Sequence, residues 1–130
     1  MKTLIIVQSN VGKGHHARVD AFADFIDDKL IITKPFTGEG KDTEFFDRWH
    51  NDIFIKYLEY NPDVIITEGF PFGRHGWHPR FNVKMRHGGI LDILQNAKQK
   101  SKHIYSLERD IPYIHPKDSS FHAEILNEYF

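Results

Sequence analysis

Four short runs of apolar, largely β-branched residues limit most strongly how this 130-residue chain can fold. They lie at residues 4–7, 30–33, 64–67 and 103–107. Each run is nearly continuous and does not alternate between apolar and polar residues. Such runs are typical of strands that are buried on both faces of a parallel sheet. The sequence therefore predicts a mostly parallel β-sheet.

Longer amphipathic segments separate these runs. Apolar residues recur at helical spacing within residues 19–26, 45–58 and 90–97, and again in a short terminal segment at 121–126. Strands that alternate with helices indicate right-handed βαβ units with helices on both faces of the sheet. A chain of this length most often forms one domain. We therefore expect a single α/β domain over residues 1–130, a Rossmann-like three-layer domain.

Charge and composition argue against several functional classes. The net charge of −1 and the isoelectric point near 6.7 disfavour a dedicated nucleic-acid binder, which needs a strong basic field. The absence of cysteine excludes disulfide scaffolds, thiolate catalysis and cysteine-ligated zinc. The chain contains neither a signal-peptide pattern nor an apolar run of the roughly 20 residues that span a membrane. We expect a soluble, cytoplasmic protein.

The loop after the first predicted strand carries the first group of chemically functional residues. Gly12 and Gly14 allow the backbone to turn sharply and to approach a ligand closely. The helix that follows offers unpaired N–H groups, and His15, His16 and Arg18 add positive charge. The alternative interpretation is a glycine-bearing turn with surface histidines. We favour a ligand-binding loop.

Three cofactor motifs can be compared with the sequence. The first loop lacks the spacing and the hydroxyl residue of a nucleotide-binding P-loop. Residues 12–17 meet the loose Gly-x-Gly-x-x-Ala dinucleotide fingerprint, but Lys34 follows the second strand where a ribose-binding acid would stand. NAD is therefore disfavoured as a cofactor, and NADP remains an alternative that ranks below the other interpretations of this loop. The pair His75 and His78 lacks a third ligand at diagnostic spacing, so no metal is expected.

Two further loops carry polar residues to the same predicted edge. Glu68 lies where the third strand should end, Arg74 follows it, and Arg109 follows the fourth strand. Because ligands bind at the carboxyl ends of strands in open α/β sheets, we expect these residues to line a site with the first loop. The structural alternatives are a helix cap or an ion pair with Arg74 for Glu68, and a surface ion pair of Arg109 with Asp110.

Three motifs resemble a known family. The Gly-x-Gly-His-x-x-Arg pattern at residues 12–18 resembles the start of family-28-like glycosyltransferases, which have the two-domain GT-B fold. PDVIITEGFPFGR at residues 62–74 is similar to a signature of a branch of predicted glycosyltransferases. SLERDI at residues 106–111 is similar to the strand end SLRDI of that branch, with Glu108 as an additional residue. The motifs stand in the family's order over residues 1 to 111.

The resemblance implies the acceptor-binding half of an inverting enzyme that takes a nucleotide-sugar donor and needs no further cofactor. His15 would be the general base that accepts the proton of the acceptor hydroxyl, since an unperturbed imidazole has a pKa of about 6.5. Glu68 would contact the acceptor or orient His15, and these two are the predicted catalytic residues. Arg18 would hold negative charge, while Gly12 and Gly14 would let the loop approach the ligand.

The length of the chain leaves room for only one of the two GT-B domains. The first hypothesis is therefore an acceptor-binding domain that binds a sugar or a phosphorylated acceptor and works with a separate donor-binding subunit. Association into a homodimer is a further expectation. The second hypothesis is a non-catalytic module of the same half-fold that binds a nucleotide, a sugar phosphate or a protein. A small NADP-linked oxidoreductase ranks third.

Overall fold

The computed structural model describes residues 1–7, 14–33, 43–68, 83–107 and 127–130. Strands and helices alternate along these ranges, as the sequence predicts. In chain order they are β1 (Lys2–Val7), α1 (Gly14–Ala23), β2 (Asp28–Thr33), α2 (Thr43–Tyr60), β3 (Val64–Glu68), α3 (Val83–Gln99) and β4 (His103–Leu107).

The four strands form one parallel sheet in the order β2-β1-β3-β4. The first connection places β2 on one side of β1, and the next connection crosses β1 and places β3 on its other side, with β4 beyond it. The direction in which strands are added to the sheet therefore reverses between β1 and β3. This topology confirms the predicted α/β class with a parallel sheet and helices.

Strand β1 is buried on both faces, which accounts for its continuous apolar run. Leu4 and Ile6 point to one face, where they join the core formed with α2 and α3. Ile5 and Val7 point to the other face, where they pack with Val19 of α1. The side chains of successive strand residues alternate between faces, so a strand covered on both sides needs an apolar residue at every position.

The two outer strands depart from the prediction that all four runs are buried on both faces. Ile31 of β2 is 39% exposed and Tyr105 of β4 is 55% exposed. Both are paired with residues whose side chains pack near α1, Ile31 with Ile5 and Tyr105 with Ile66. In the described part of the chain, α1 is the only helix packed on this face, and it covers the middle of the sheet. The prediction was therefore wrong for one face of β2 and β4.

Two helices end at residues with a positive φ angle. Asn61 follows α2 with φ of 50°, and Ser101 lies just after α3 with φ of 56°. The N–H of Lys102 donates to the carbonyl of Ala97 at 2.9 Å, which is the bond expected when a helix is closed by a left-handed residue. The predicted terminal helix at 121–126 lies outside the described residues, and residues 127–129, which follow it, are helical.

None of the helices in the described ranges combines the length and the apolar character that a membrane crossing requires.

Candidate functional site

The carboxyl ends of three strands lie side by side. In the register of the sheet, Val7 at the end of β1 is paired with Glu68 at the end of β3, and Glu68 is paired with Leu107 at the end of β4. Strands β1 and β3 lie on either side of the point where the strand order reverses. In open α/β sheets, that is the edge at which ligands bind.

Glu68 is a fully buried carboxylate at this edge. It is the last residue of β3 and has 0% exposure. Strand alternation directs it to the same face as Ile66, which packs with the α1 side of the core. Arg18 of α1 meets it there, with its Nη1 2.9 Å from Oε1 of Glu68.

The energetics of the pair explain why these two side chains occur together. A buried carboxylate without a compensating charge costs several kcal/mol, because a low-dielectric interior solvates it poorly. Arg18 supplies that charge while 31% of its own side chain stays exposed. Its Nη1 is buried and approaches Glu68 as an ion pair without the direction of a hydrogen bond. The pair therefore fixes the second turn of α1 against the end of β3.

Glu68 has a partner in the structure that the sequence motifs did not indicate, which is Arg18. The structural alternative of an ion pair between Glu68 and Arg74 stays a prediction. Arg74 itself lies outside the described residues. The resemblance implied separate roles toward a ligand for Arg18 and Glu68, and it did not indicate that they contact each other. The sequence contained only an indirect indication of this contact. Two opposite charges lie near the ends of predicted elements, Arg18 near the start of a helix and Glu68 at the end of a strand.

The amino end of α1 lies at the same edge of the sheet. Gly14 is its first residue, and His15 and His16 follow in the first turn. The first turn contains no acidic residue. The partial positive charge of about half a unit that a helix amino end carries is therefore not offset by a carboxylate of its own turn. His16 is half-buried, and the side chain of His15 lies outside what the structure describes.

The remaining predicted ligand-binding residues fall outside the described ranges. Gly12 belongs to residues 8–13, and Arg109 follows the end of β4 by two positions. Within the described ranges, no group of three or more His, Asp or Glu side chains could hold a metal ion. The described part of the site is therefore a buried ion pair, a helix amino end and three adjacent strand ends.

No protein-family model, curated protein or solved structure matches the chain. The resemblance to glycosyltransferases thus stays a prediction that is carried by the sequence motifs.

Proposed function

We propose that this chain is a glycosyltransferase-like acceptor-binding domain that binds a sugar or phosphorylated ligand at the carboxyl edge of β1 and β3. One observation supports the location above all: Val7 and Glu68 are paired, so these two strands end together where the strand order reverses. The amino end of α1 offers N–H donors to an anionic group at the same edge.

The proposed chemistry uses His15 as the base. The acceptor oxygen forms a bond to the anomeric carbon of the donor sugar, while the bond from that carbon to the donor phosphate oxygen breaks. The nucleotide leaves with the bonding electrons, and the acceptor proton passes to the imidazole of His15. A separate subunit would supply the donor, as the two-domain architecture of the resembled family implies.

Glu68 fits this scheme as a positioning residue. Its carboxylate has no exposure and faces Arg18 at 2.9 Å, which supports a role in holding α1. The amino end of α1, with His15 one position after Gly14, would in this way be fixed relative to the strand ends. The role is a refinement of the catalytic role that the sequence suggested.

A non-catalytic binding module is the second candidate. The same ion pair favours it, because both charged side chains are engaged in holding the fold. Such a module would use the strand edge and the helix amino end to bind a sugar phosphate or a nucleotide without any transfer.

Calorimetric titration of the purified chain with glucose 1-phosphate, UDP and UDP-N-acetylglucosamine tests the shared part of both candidates. We expect at least one of these probes to bind, and we expect Gly14→Val to abolish binding because a Cβ with a branched side chain obstructs the helix amino end. Gly14→Ala serves as a milder variant if the valine variant does not fold. Failure of glucose 1-phosphate to bind would contradict the shared claim that this edge takes a phosphorylated sugar, and failure of all three probes would contradict the nucleotide-binding module as well.

His15→Ala separates the two candidates. In the acceptor-domain proposal, the variant still binds ligand but abolishes sugar transfer when the chain is assayed with its donor-binding partner. Asp20→Asn is the control, because this exposed residue lies on the same helix and outside the predicted site. Transfer that persists in His15→Ala contradicts the role of base, and binding without any transfer by the wild-type pair favours the non-catalytic module.

A further inference from the structure

The face of the sheet that carries α1 is partly uncovered in the described part of the chain. Helix α1 packs on β1 and β3. On β4, Tyr105 is paired with Ile66, so its side chain and that of His103 lie on the α1 face. Their rings are nearly parallel with centroids 6.5 Å apart, and Tyr105 is 55% exposed. Strand β4 therefore presents an open aromatic surface beside α1.

The side of α1 that points away from the sheet is apolar as well. Val19 and Ala23 are buried against the strands, whereas Ala17 and Ala21 are exposed and lie one helical turn apart. Phe25 follows the end of the helix and is 86% exposed. Small exposed side chains next to an exposed ring form a surface that another apolar surface can approach closely.

The segments next to these two surfaces have opposite charges. Residues 20–28, which contain the end of α1 and lead into β2, carry four aspartates and no lysine or arginine. Residues 98–103, which lead from α3 into β4, carry three lysines, one histidine and no carboxylate. Both segments lead into strands of one parallel sheet, so both lie at its amino edge. Each segment is thus complementary to the other and repels a copy of itself.

A second copy of the chain carries both complementary segments. A two-fold axis that runs parallel to the strands, on the α1 face, places α1 of each protomer above β4 of the other. This axis also keeps the amino edges of both sheets at the same end, so the acidic segment of one protomer meets the basic segment of its partner. The same contact is then made twice, as in a self-complementary two-fold interface.

We propose that the chain forms such a two-fold dimer through its α1 face. Phe25 and the exposed alanines of α1 pack on Tyr105 of the partner subunit, and the charged segments flank this contact at the amino edge. The candidate site lies at the carboxyl ends of the strands instead. The dimer therefore leaves that edge free, and the inference does not rest on the proposed function.

Sedimentation velocity at low ionic strength, over a roughly hundredfold range of micromolar concentration, tests the proposal. We expect a dimer whose fraction rises with concentration. Phe25→Asp and Tyr105→Asp should each weaken dimerisation by roughly tenfold or more, because a charge replaces a ring within the contact. Ile55→Asp is the matched control, since Ile55 is 52% exposed on α2, which packs on the other face. Phe25 lies outside the strands and helices, so Phe25→Asp tests the surface even if Tyr105→Asp does not fold.

A charge exchange tests the contact between the two segments. Asp24 and Lys100 are both exposed, and Asp24→Lys and Lys100→Glu should each weaken the dimer. The variant that combines both should recover most of the affinity, because opposite charges face each other again. Added salt should weaken the parent dimer. Asp52→Lys with Lys56→Glu, at exposed positions of α2, is the control pair and should leave dimerisation unchanged.

Three outcomes would overturn the proposal. A chain that stays monomeric at every concentration would show that this face does not take a second copy. A dimer that Phe25→Asp leaves intact, or that Ile55→Asp dissociates, would place the interface elsewhere. Losses in the two charge variants that add together instead of cancelling would contradict the contact between the segments. None of these outcomes bears on the ligand titrations of Gly14→Val, so the dimer and the proposed function can fail separately.

Discussion

Arg18 and Glu68 are fifty positions apart in sequence and form an ion pair of 2.9 Å across the junction of α1 and β3. Glu68 is fully buried, whereas Arg18 reaches the surface. The pair thus connects the helix whose amino end lies at the candidate site with the strand that forms the edge of that site. It is the described contact that most directly couples the fold to the proposed function.

Removal of Arg18 should destabilise the fold strongly. Arg18→Met takes away the positive charge that faces a buried carboxylate, and we expect a loss of about 2–4 kcal/mol in the free energy of unfolding. Glu68→Gln should cost less, about 1–2 kcal/mol, because the guanidinium can turn to solvent and the amide nearly keeps the shape. Urea unfolding followed by circular dichroism measures both.

The double variant Arg18→Met with Glu68→Gln tests whether the two effects share one cause. Its loss of stability should fall short of the sum of the single losses by about 1 kcal/mol or more, as for residues in direct contact. Asp20→Asn, at an exposed site of α1, serves as a control and should change stability little. Strictly additive losses would contradict a direct interaction.

Replacement of Ser101 by glycine should stabilise the protein. It has a φ angle of 56° at the end of α3, a conformation that costs an L-residue energy through contact of its Cβ with the backbone. We expect Ser101→Gly to stabilise the protein by about 0.5–1 kcal/mol in a thermal or urea melt.

Two related variants check this interpretation. Ser101→Val should destabilise, because a β-branched residue is the least tolerant of a positive φ angle. Asn61→Gly should bring no gain although Asn61 has φ of 50°, since asparagine tolerates this region and its side chain accepts a bond from Lys102. A stabilising valine would show that the angle is not strained.

Stability should decline in strong alkali because of Tyr57. Burial raises its pKa from 10.0 to about 12, so the native state holds the phenolic proton more tightly than the unfolded chain does. The contribution of this proton to stability is complete below about pH 10 and is lost as the pH rises from 10 toward 12. For this nearly inaccessible side chain, the loss is about 2–3 kcal/mol.

Urea unfolding at pH 9 and at pH 12 measures that decline. Tyr57→Phe should reduce it, while lowering stability at pH 9 by about 1 kcal/mol through loss of the 2.7 Å hydrogen bond to Asn96. Tyr60, whose pKa is also raised to about 12 by burial and by its bond to Asp28, should retain part of the decline. An unchanged decline in Tyr57→Phe would contradict the assignment.

Lys102 should contribute to stability by joining two connections. Its Nζ bonds the side chain of Asn61 and the carbonyl of Pro62, and it lies 5.3 Å from the ring centroid of Tyr57. Lys102→Met leaves the carbonyl of a buried proline without this donor, and we expect a loss of about 1–2 kcal/mol in urea unfolding. Lys100→Met, at an exposed neighbouring position, should lie within about 0.5 kcal/mol of the parent protein.

The two members of the ion pair show how far the sequence could predict the candidate site. The sequence placed Glu68 correctly at the end of a strand, because the apolar run that precedes it is a local signal. It offered Arg74 as a structural partner, since that residue is close in the chain, and it did not indicate Arg18, which the structure places against Glu68 from another element. Which side chains meet depends on strand order, and local patterns carry little information about that order.

Residue periodicity and run length by themselves determined the alternation of strands and helices and the parallel α/β class. Both properties arise from geometry within a few residues, which the sequence states directly. Only the tertiary structure decided that Val7 lies beside Glu68, that α1 packs on one face with Arg18 at the strand end, and that Tyr105 stays exposed on an outer strand. The physical reason is that these relations follow from the path of the crossovers and from how much of each sheet face a helix covers, and both are set by packing between distant segments.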